Sequence, residues 1–143
     1  MFRNLITGLA FGVALSGTAW AEDFEVQMLN RSDAGTMVFE PSFLHIAQGD
    51  TVTFLATDRG HNAESITAMM PEGAEVFSGH INEEISVTFD VDGLYGVMCK
   101  PHFAMGMVIT IAVGDVAAAP DAYLEGRIPR KAMSRFEEQL SNL

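Results

Sequence analysis

The chain has 143 residues, 48% of them hydrophobic and 19% charged, which fits one folded domain with a real core and not a disordered chain. Eight Lys and Arg stand against 19 Asp and Glu, a formal net charge of −11, which argues against nucleic acid or an anionic membrane as partner. There is one cysteine, Cys99, so an intramolecular disulfide is impossible.

Residues 1–21 read as a separate object. Arg3 supplies a positive start, residues 5–15 are mostly apolar, and Ala19-Trp20-Ala21 offers small residues at the two positions a signal peptidase reads. The apolar run is too short to span a bilayer comfortably. The expectation is a cleaved signal peptide, a mature chain from Glu22 and export to a bacterial periplasm. Without Arg3 the mature chain carries 7 basic and 19 acidic residues, a net of −12.

From residue 24 to 113 the pattern is mostly β. Residues 24–28 alternate; residues 43–46 precede a turn at Gln48-Gly49-Asp50, and residues 51–55 follow it. Residues 85–89 alternate cleanly, Asp92-Gly93 supplies a turn, and residues 95–99 and 107–113 read as two more strands. Short alternating strands with regular turn signals predict an antiparallel sandwich. Residues 60–84 are less regular, with a short helical turn near 64–69. After Gly114 the character changes. Ala117-Ala118-Ala119 leads through Pro120 into a helical stretch ending about Gly126, and Pro129 sits where a second helix begins. Residues 130–141 place Ala132, Met133, Phe136 and Leu140 at helical spacing. This stretch is too short to fold alone, so it is expected to dock on the sandwich. Residues 22–143 are thus read as one domain, with 115–143 as a helical extension.

The informative segment is Cys99-Lys100-Pro101-His102-Phe103-Ala104-Met105-Gly106-Met107, between a strand ending at Cys99 and one beginning near Met107. Such a loop aims a thiolate, an imidazole and a thioether at one point. Thiolate and thioether favour Cu(I), and imidazole serves both copper states; a His2Cys set with a long axial Met is the blue-copper arrangement. Spacing alone leaves Met105 and Met107 both open as the thioether. One more His is needed. His61, in Asp58-Arg59-Gly60-His61-Asn62 just past a strand, is the best candidate; His45 alternates within a strand, and His80 lies in the irregular segment. A lone buried Cys is commonly a small hydrophobe, and each of these residues alone has an ordinary explanation. Together in one exported chain they point to a metal.

At these motifs the sequence resembles the pseudoazurins, a family of cupredoxins. The resemblance covers the mature chain. Its markers are Met37-Val38-Phe39-Glu40-Pro41, Gly49-Asp50-Thr51-Val52-Thr53-Phe54, Gly60-His61-Asn62-Ala63-Glu64-Ser65-Ile66, Pro71-Glu72-Gly73-Ala74-Glu75 and the 99–107 loop. It implies a Greek-key β-sandwich with two short C-terminal helices, and one copper ion cycling between Cu(I) and Cu(II). It implies His61, Cys99, His102 and Met107 as ligands, with Met107 rather than Met105 axial. It also implies a monomer passing electrons between redox proteins such as c-type cytochromes and a nitrite or nitrous oxide reductase. Two departures stand out. Lys100 replaces the small hydroxyl residue that in the family often ties the ligand loop to the Asn after the first His. The lysines around the copper edge, common in the family, are reduced here to Lys100 and Lys131.

The function implied is one-electron transfer, with His102 as the exit, surrounded by Pro101, Phe103, Met105, Gly106, Gly60 and Met37. The backbone N–H of Asn62 is a candidate donor to the Cys99 sulfur. Two other functions use the same residues: copper trafficking or storage, and an enzyme with Cys99 as nucleophile and a His base.

Overall fold

The computed structural model describes residues 17–143; residues 1–16, most of the expected signal peptide, lie outside the described residues. Residues 17–22 are exposed and without regular structure. The alternation that marks the strands then sorts their side chains to two faces. In β4 (Thr51–Leu55), Val52 and Phe54 are buried while Thr51, Thr53 and Leu55 are half-buried. Burying a side chain such as Phe54 contributes about 1.5–3 kcal/mol relative to leaving it in water.

Eight strands are present among the described residues: β1 (Asp23–Ser32), β2 (Gly35–Glu40), β3 (Phe43–Ile46), β4, β5 (Glu64–Ser65), β6 (Ile85–Thr88), β7 (Gly93–Met98) and β8 (Val108–Val113). They form two four-stranded sheets, in the orders β2-β1-β4-β6 and β3-β8-β7-β5. The inner faces enclose a core in which Phe39 meets Phe54 edge-on at 6.0 Å and Phe89 meets Tyr95 edge-on at 4.9 Å. Cys99 and Met107 belong to this same buried cluster.

The sandwich is not purely antiparallel, as the alternation had suggested. β1 runs parallel to β4, with Phe24 opposite Val52, and β3 runs parallel to β8, with Leu44 opposite Ile111. Alternation reports which face of a strand is buried, not the direction of its neighbour. The chain leaves one sheet after β2 and enters the other at β3, so these neighbours are not joined by a hairpin that would force them antiparallel. The β1–β2 hairpin was also invisible to alternation. Val38 and Phe39 are adjacent and both buried, and Met37 takes a left-handed backbone with φ 51°.

The expected helical turn near 64–69 resolves into β5 followed by a 3-10 turn at Thr67–Met69. Of the two C-terminal helices, the first is a single 3-10 turn, Asp121–Leu124, because only five residues separate Pro120 from Gly126. The second is α1 (Arg130–Leu140), which starts directly after Pro129. It docks as expected, burying Ala132, Phe136 and Gln139. Phe136 meets Tyr123 edge-on, and the Gln139 amide donates to Val108 O at 3.0 Å while accepting from the Thr110 hydroxyl at 2.9 Å. A buried amide needs such partners, and these fix α1 on β8 beside the ligand loop.

Candidate metal centre

His61 lies in the connection after β4, where the backbone must turn sharply. Gly60 makes the turn with φ 96°, a conformation nearly free of cost only for glycine. Asn82 brackets it: its side-chain oxygen accepts from Gly60 N at 2.7 Å, and its own N–H donates to His61 O at 2.8 Å. The imidazole is fully buried. Its Nε2 lies 2.7 Å from Asn30 Oδ1 at the far end of β1, which leaves Nδ1 turned toward Cys99 and His102.

Cys99 follows β7 directly and Met107 precedes β8. Cys99 N donates to Met107 O at 3.0 Å, closing the mouth of the loop with one more rung of the β7–β8 ladder. Inside the loop, Lys100–Met105 folds as two 3-10 turns with a kink at His102, and Met107 N donates back to His102 O at 3.1 Å. Gly106 completes the turn with φ 86°, and α1 packs against it. A Cβ at this position would lie 2.9 Å from Lys131 Cγ, so both the backbone and the space require glycine.

The result is a convergence of three donors. Cys99 Sγ is 3.7 Å from His61 Nδ1 and 3.5 Å from His102 Nδ1, and the two Nδ1 atoms are 3.1 Å apart. The donor atoms of His61, Cys99 and His102 all lie within 4.8 Å of one another. Met107 is fully buried against the same cluster as Cys99, whereas Met105 is 42% exposed. One sulfur and two imidazoles at one point, with a buried thioether in the same cluster as Cys99, form a donor set that fits copper.

The electrostatics suit a ligand set. Burial holds the His61 imidazole below the usual histidine value, repulsion from His102 adds to this, and Asp58 opposes it. Burial pushes the Cys99 thiol up, against the backbone N–H groups of Asn62 and His102, which favour the thiolate; Glu64 adds a small push upward. The Asn62 N–H thus acts on the sulfur in the direction expected of a donor. Without a metal Cys99 stays a thiol, and a metal that takes the thiolate releases its proton.

Asn62 also joins the two ligand loops. Its Oδ1 accepts from Lys100 N at 2.8 Å, and its Nδ2 donates to Gly79 O and to Glu64 Oε2, each at 3.0 Å. The link from Asn62 to the ligand loop is thus present in this chain, made by the main-chain N–H of Lys100.

His45 is exposed, with Nε2 2.7 Å from Gly114 O, and His80 is exposed and bonded through its backbone to Glu83; neither joins the cluster. His102 is half-buried at the end of the sandwich, with Pro101 and Met105 exposed beside it. Of the other residues expected to surround it, Phe103 packs partly against the α1 cluster, Met37 partly against the main core, and Gly106 is buried. The sequence reading missed Asn30, Asn82 and Arg135, which contact the ligand segments from elements remote in the chain.

The two sheets and the converging thiolate and imidazoles define the cupredoxin class of copper proteins. Residues 26–114 match the family model of copper binding proteins of the plastocyanin/azurin family. Pseudoazurin of Paracoccus pantotrophus is 41% identical over 144 residues, covering 100% of this chain and 99% of its own. Among solved structures, a Sinorhizobium pseudoazurin superposes with a TM-score of 0.80 at 41% identity, covering 85% of this chain and 95% of its own. The pseudoazurin of Methylobacterium extorquens AM1 superposes with a TM-score of 0.79 at 36% identity, covering 84% and 98%. The chain belongs to the plastocyanin/azurin family of copper-binding proteins and, within it, to the pseudoazurins.

Proposed function

We propose that this chain is a one-electron carrier that holds a single copper ion through His61, Cys99, His102 and Met107, the last on the axis. Copper bound there supplies a Cu(I)/Cu(II) couple. The observation that carries the reading is the convergence of the three donor atoms within 4.8 Å, with their segments held by the Asn30, Asn62 and Asn82 hydrogen bonds. Ligands already placed need little rearrangement when the charge on the ion changes. His102, half-buried and flanked by exposed Pro101 and Met105, is the natural door for the electron.

Cys99 is fully enclosed, which suits a ligand and not a nucleophile that must reach a substrate. The domain is residues 22–143, with a cleaved export signal ahead of it and the periplasm as working compartment. The exposed, irregular stretch at residues 17–22 suits a protease, and no helix among the described residues is long and apolar enough to cross a membrane. Partners are other redox proteins, a c-type cytochrome on one side and a nitrite or nitrous oxide reductase on the other, met by a monomer in brief encounters.

The test is the visible spectrum of the copper-loaded, oxidised protein, followed by redox titration. An intense blue or green thiolate-to-Cu(II) band with reversible one-electron reduction is expected. A protein that held copper only as Cu(I) and gave it up readily would instead be a trafficking protein.

A further inference from the structure

The C-terminal helix reaches the site through one side chain. Arg135 of α1 is half-buried, and its guanidinium donates to three main-chain carbonyls: Nη1 to Met37 O at 2.6 Å and Gly106 O at 2.7 Å, and Nη2 to Thr36 O at 2.8 Å. Two of these acceptors belong to left-handed residues, Met37 at φ 51° and Gly106 at φ 86°. A non-glycine residue persists in that region only where its surroundings over-determine it. A planar guanidinium is the one side chain whose fixed fork of donors spans several carbonyls at once. Arg135 Cδ would also lie 3.1 Å from a Cβ at Gly106, and Nη2 3.4 Å from one at Gly35, so the side chain is packed closely between the ligand loop and the start of β2.

We propose that Arg135 is a positioning residue of the copper centre: it locks the main chain at Gly106, immediately before Met107, to Thr36 and Met37 of β2, and so sets how closely the Met107 thioether approaches along the copper axis. The inference rests on the reading of Met107 as axial ligand. Thr36 and Met37 lie about 70 positions before Gly106 in the chain, and Arg135 gives all three a common anchor. Its hydrogen bonds are charge-assisted, the stronger kind. With the guanidinium gone, Gly106 and Met107 keep only the hydrogen bonds within the loop, and the axial distance is free to drift.

The experiment compares Arg135→Met, which keeps most of the packing stem, with Arg135→Lys, which keeps the charge but not the fork. In the metal-free protein, amide hydrogen exchange at Gly106 and Met107 is expected to quicken in Arg135→Met on the order of tenfold to a hundredfold, matching the loss of hydrogen bonds to a charged group. Val52 and Phe54 in β4 should be unchanged. In the copper-loaded protein, Arg135→Met should alter the intensity ratio of the two thiolate-to-copper bands and shift the reduction potential, with Arg135→Lys between it and the wild type. If Arg135→Met does not fold, Arg135→Lys carries the same comparison. Faster exchange confined to α1, with bands and potential unchanged, would show a staple for the helix and overturn the proposal. Failure of the ligand reading is seen separately: Met107→Gln would then leave the spectrum unaltered, whatever the loop amides do.

Discussion

Asn30 Oδ1 lies 2.7 Å from Nε2 of His61, and this contact decides which nitrogen of the buried imidazole is free. An amide oxygen accepts, so Nε2 carries the proton and Nδ1 keeps its lone pair toward Cys99 and His102. Asn30 is itself held, its backbone N–H donating to Asp58 Oδ2 at 2.7 Å. Asn30→Ala is therefore expected to weaken copper binding by roughly 10 to 100-fold, the usual cost of removing the group that orients a metal-bound histidine. Competition titration against a chelator of known affinity measures it; an unchanged affinity would mean that the loop alone orients His61.

Cys99→Ser is expected to lose the intense visible band and electron transfer while the sandwich still folds, because the core is built from sheet contacts and not from the metal. Cys99 is fully buried, so the hydroxyl that replaces it destabilises by about 1–3 kcal/mol if it finds no partner. Visible absorption and urea denaturation check the two halves, and a variant that kept the band would refute the thiolate assignment.

The two methionines make opposite predictions. Met107 is fully buried and Met105 is 42% exposed. Met107→Gln should keep copper but change the potential and the spectrum, since the axial ligand tunes both. Met105→Leu should leave the spectrum nearly unchanged and instead alter docking of redox partners. Reversed phenotypes would make Met105 the ligand.

Tyr123 supplies a prediction at high pH. Its hydroxyl is buried without a hydrogen-bond partner among the described residues. Burial pushes its pKa up from 10.0 to about 12; the nearby Thr110 hydroxyl, already committed to Gln139, offsets this only in part. The folded state holds the phenol proton more tightly than the unfolded chain does. The associated stability, about 2–3 kcal/mol, is therefore complete below the unfolded value near 10 and is lost as pH rises through the folded value near 12. Tyr123→Phe should remove that share of the alkaline loss, and at neutral pH it should be neutral or stabilising. Denaturant melts of both proteins from neutral to alkaline pH give the difference directly.

Charge makes a prediction about partners. Residues 22–114 carry 14 acidic residues against Arg31, Arg59 and Lys100, whereas residues 115–143 carry 5 against four basic ones. The copper-holding sandwich is therefore strongly acidic. Attraction between opposite charges raises encounter rates by roughly 10 to 1000-fold at low salt and fades as salt screens it. Stopped-flow electron transfer with a basic cytochrome c should slow steeply as salt rises, and with an acidic one should be slow and flat or rising. A faster acidic partner at low salt would mean that Lys100 and Lys131 at the copper edge outweigh the net charge.

The ligand loop was legible because its three candidate ligands sit within nine residues between two recognisable strands. His61 was legible from Gly60 and Asn62 on either side and from its place after a strand. The groups that hold these ligands were not. Asn30 is 31 positions from His61, and an Asn near the end of a strand looks like any surface residue. Arg135 reads as one charged position on an amphipathic helix, and nothing in its spacing says that three carbonyls face it. Lys100 shows the limit most plainly. Sequence comparison sees its side chain depart from the family pattern, but the main-chain N–H makes the bond to Asn62, and every residue except proline has one. The parallel pairings were hidden for a related reason: strand direction is decided by where the chain changes sheets.

Those parallel pairings govern the order of events during folding. β1 cannot zip onto β4 from a turn between them; Phe24 and Val52 must meet after the whole β2–β3 excursion has been made. Topologies dominated by such distant contacts fold in milliseconds to seconds rather than microseconds. His61 and Cys99, 38 residues apart, come within 3.7 Å only once both sheets have closed. The donor geometry of the copper site is therefore completed only at the end of folding, when the two sheets have closed on each other.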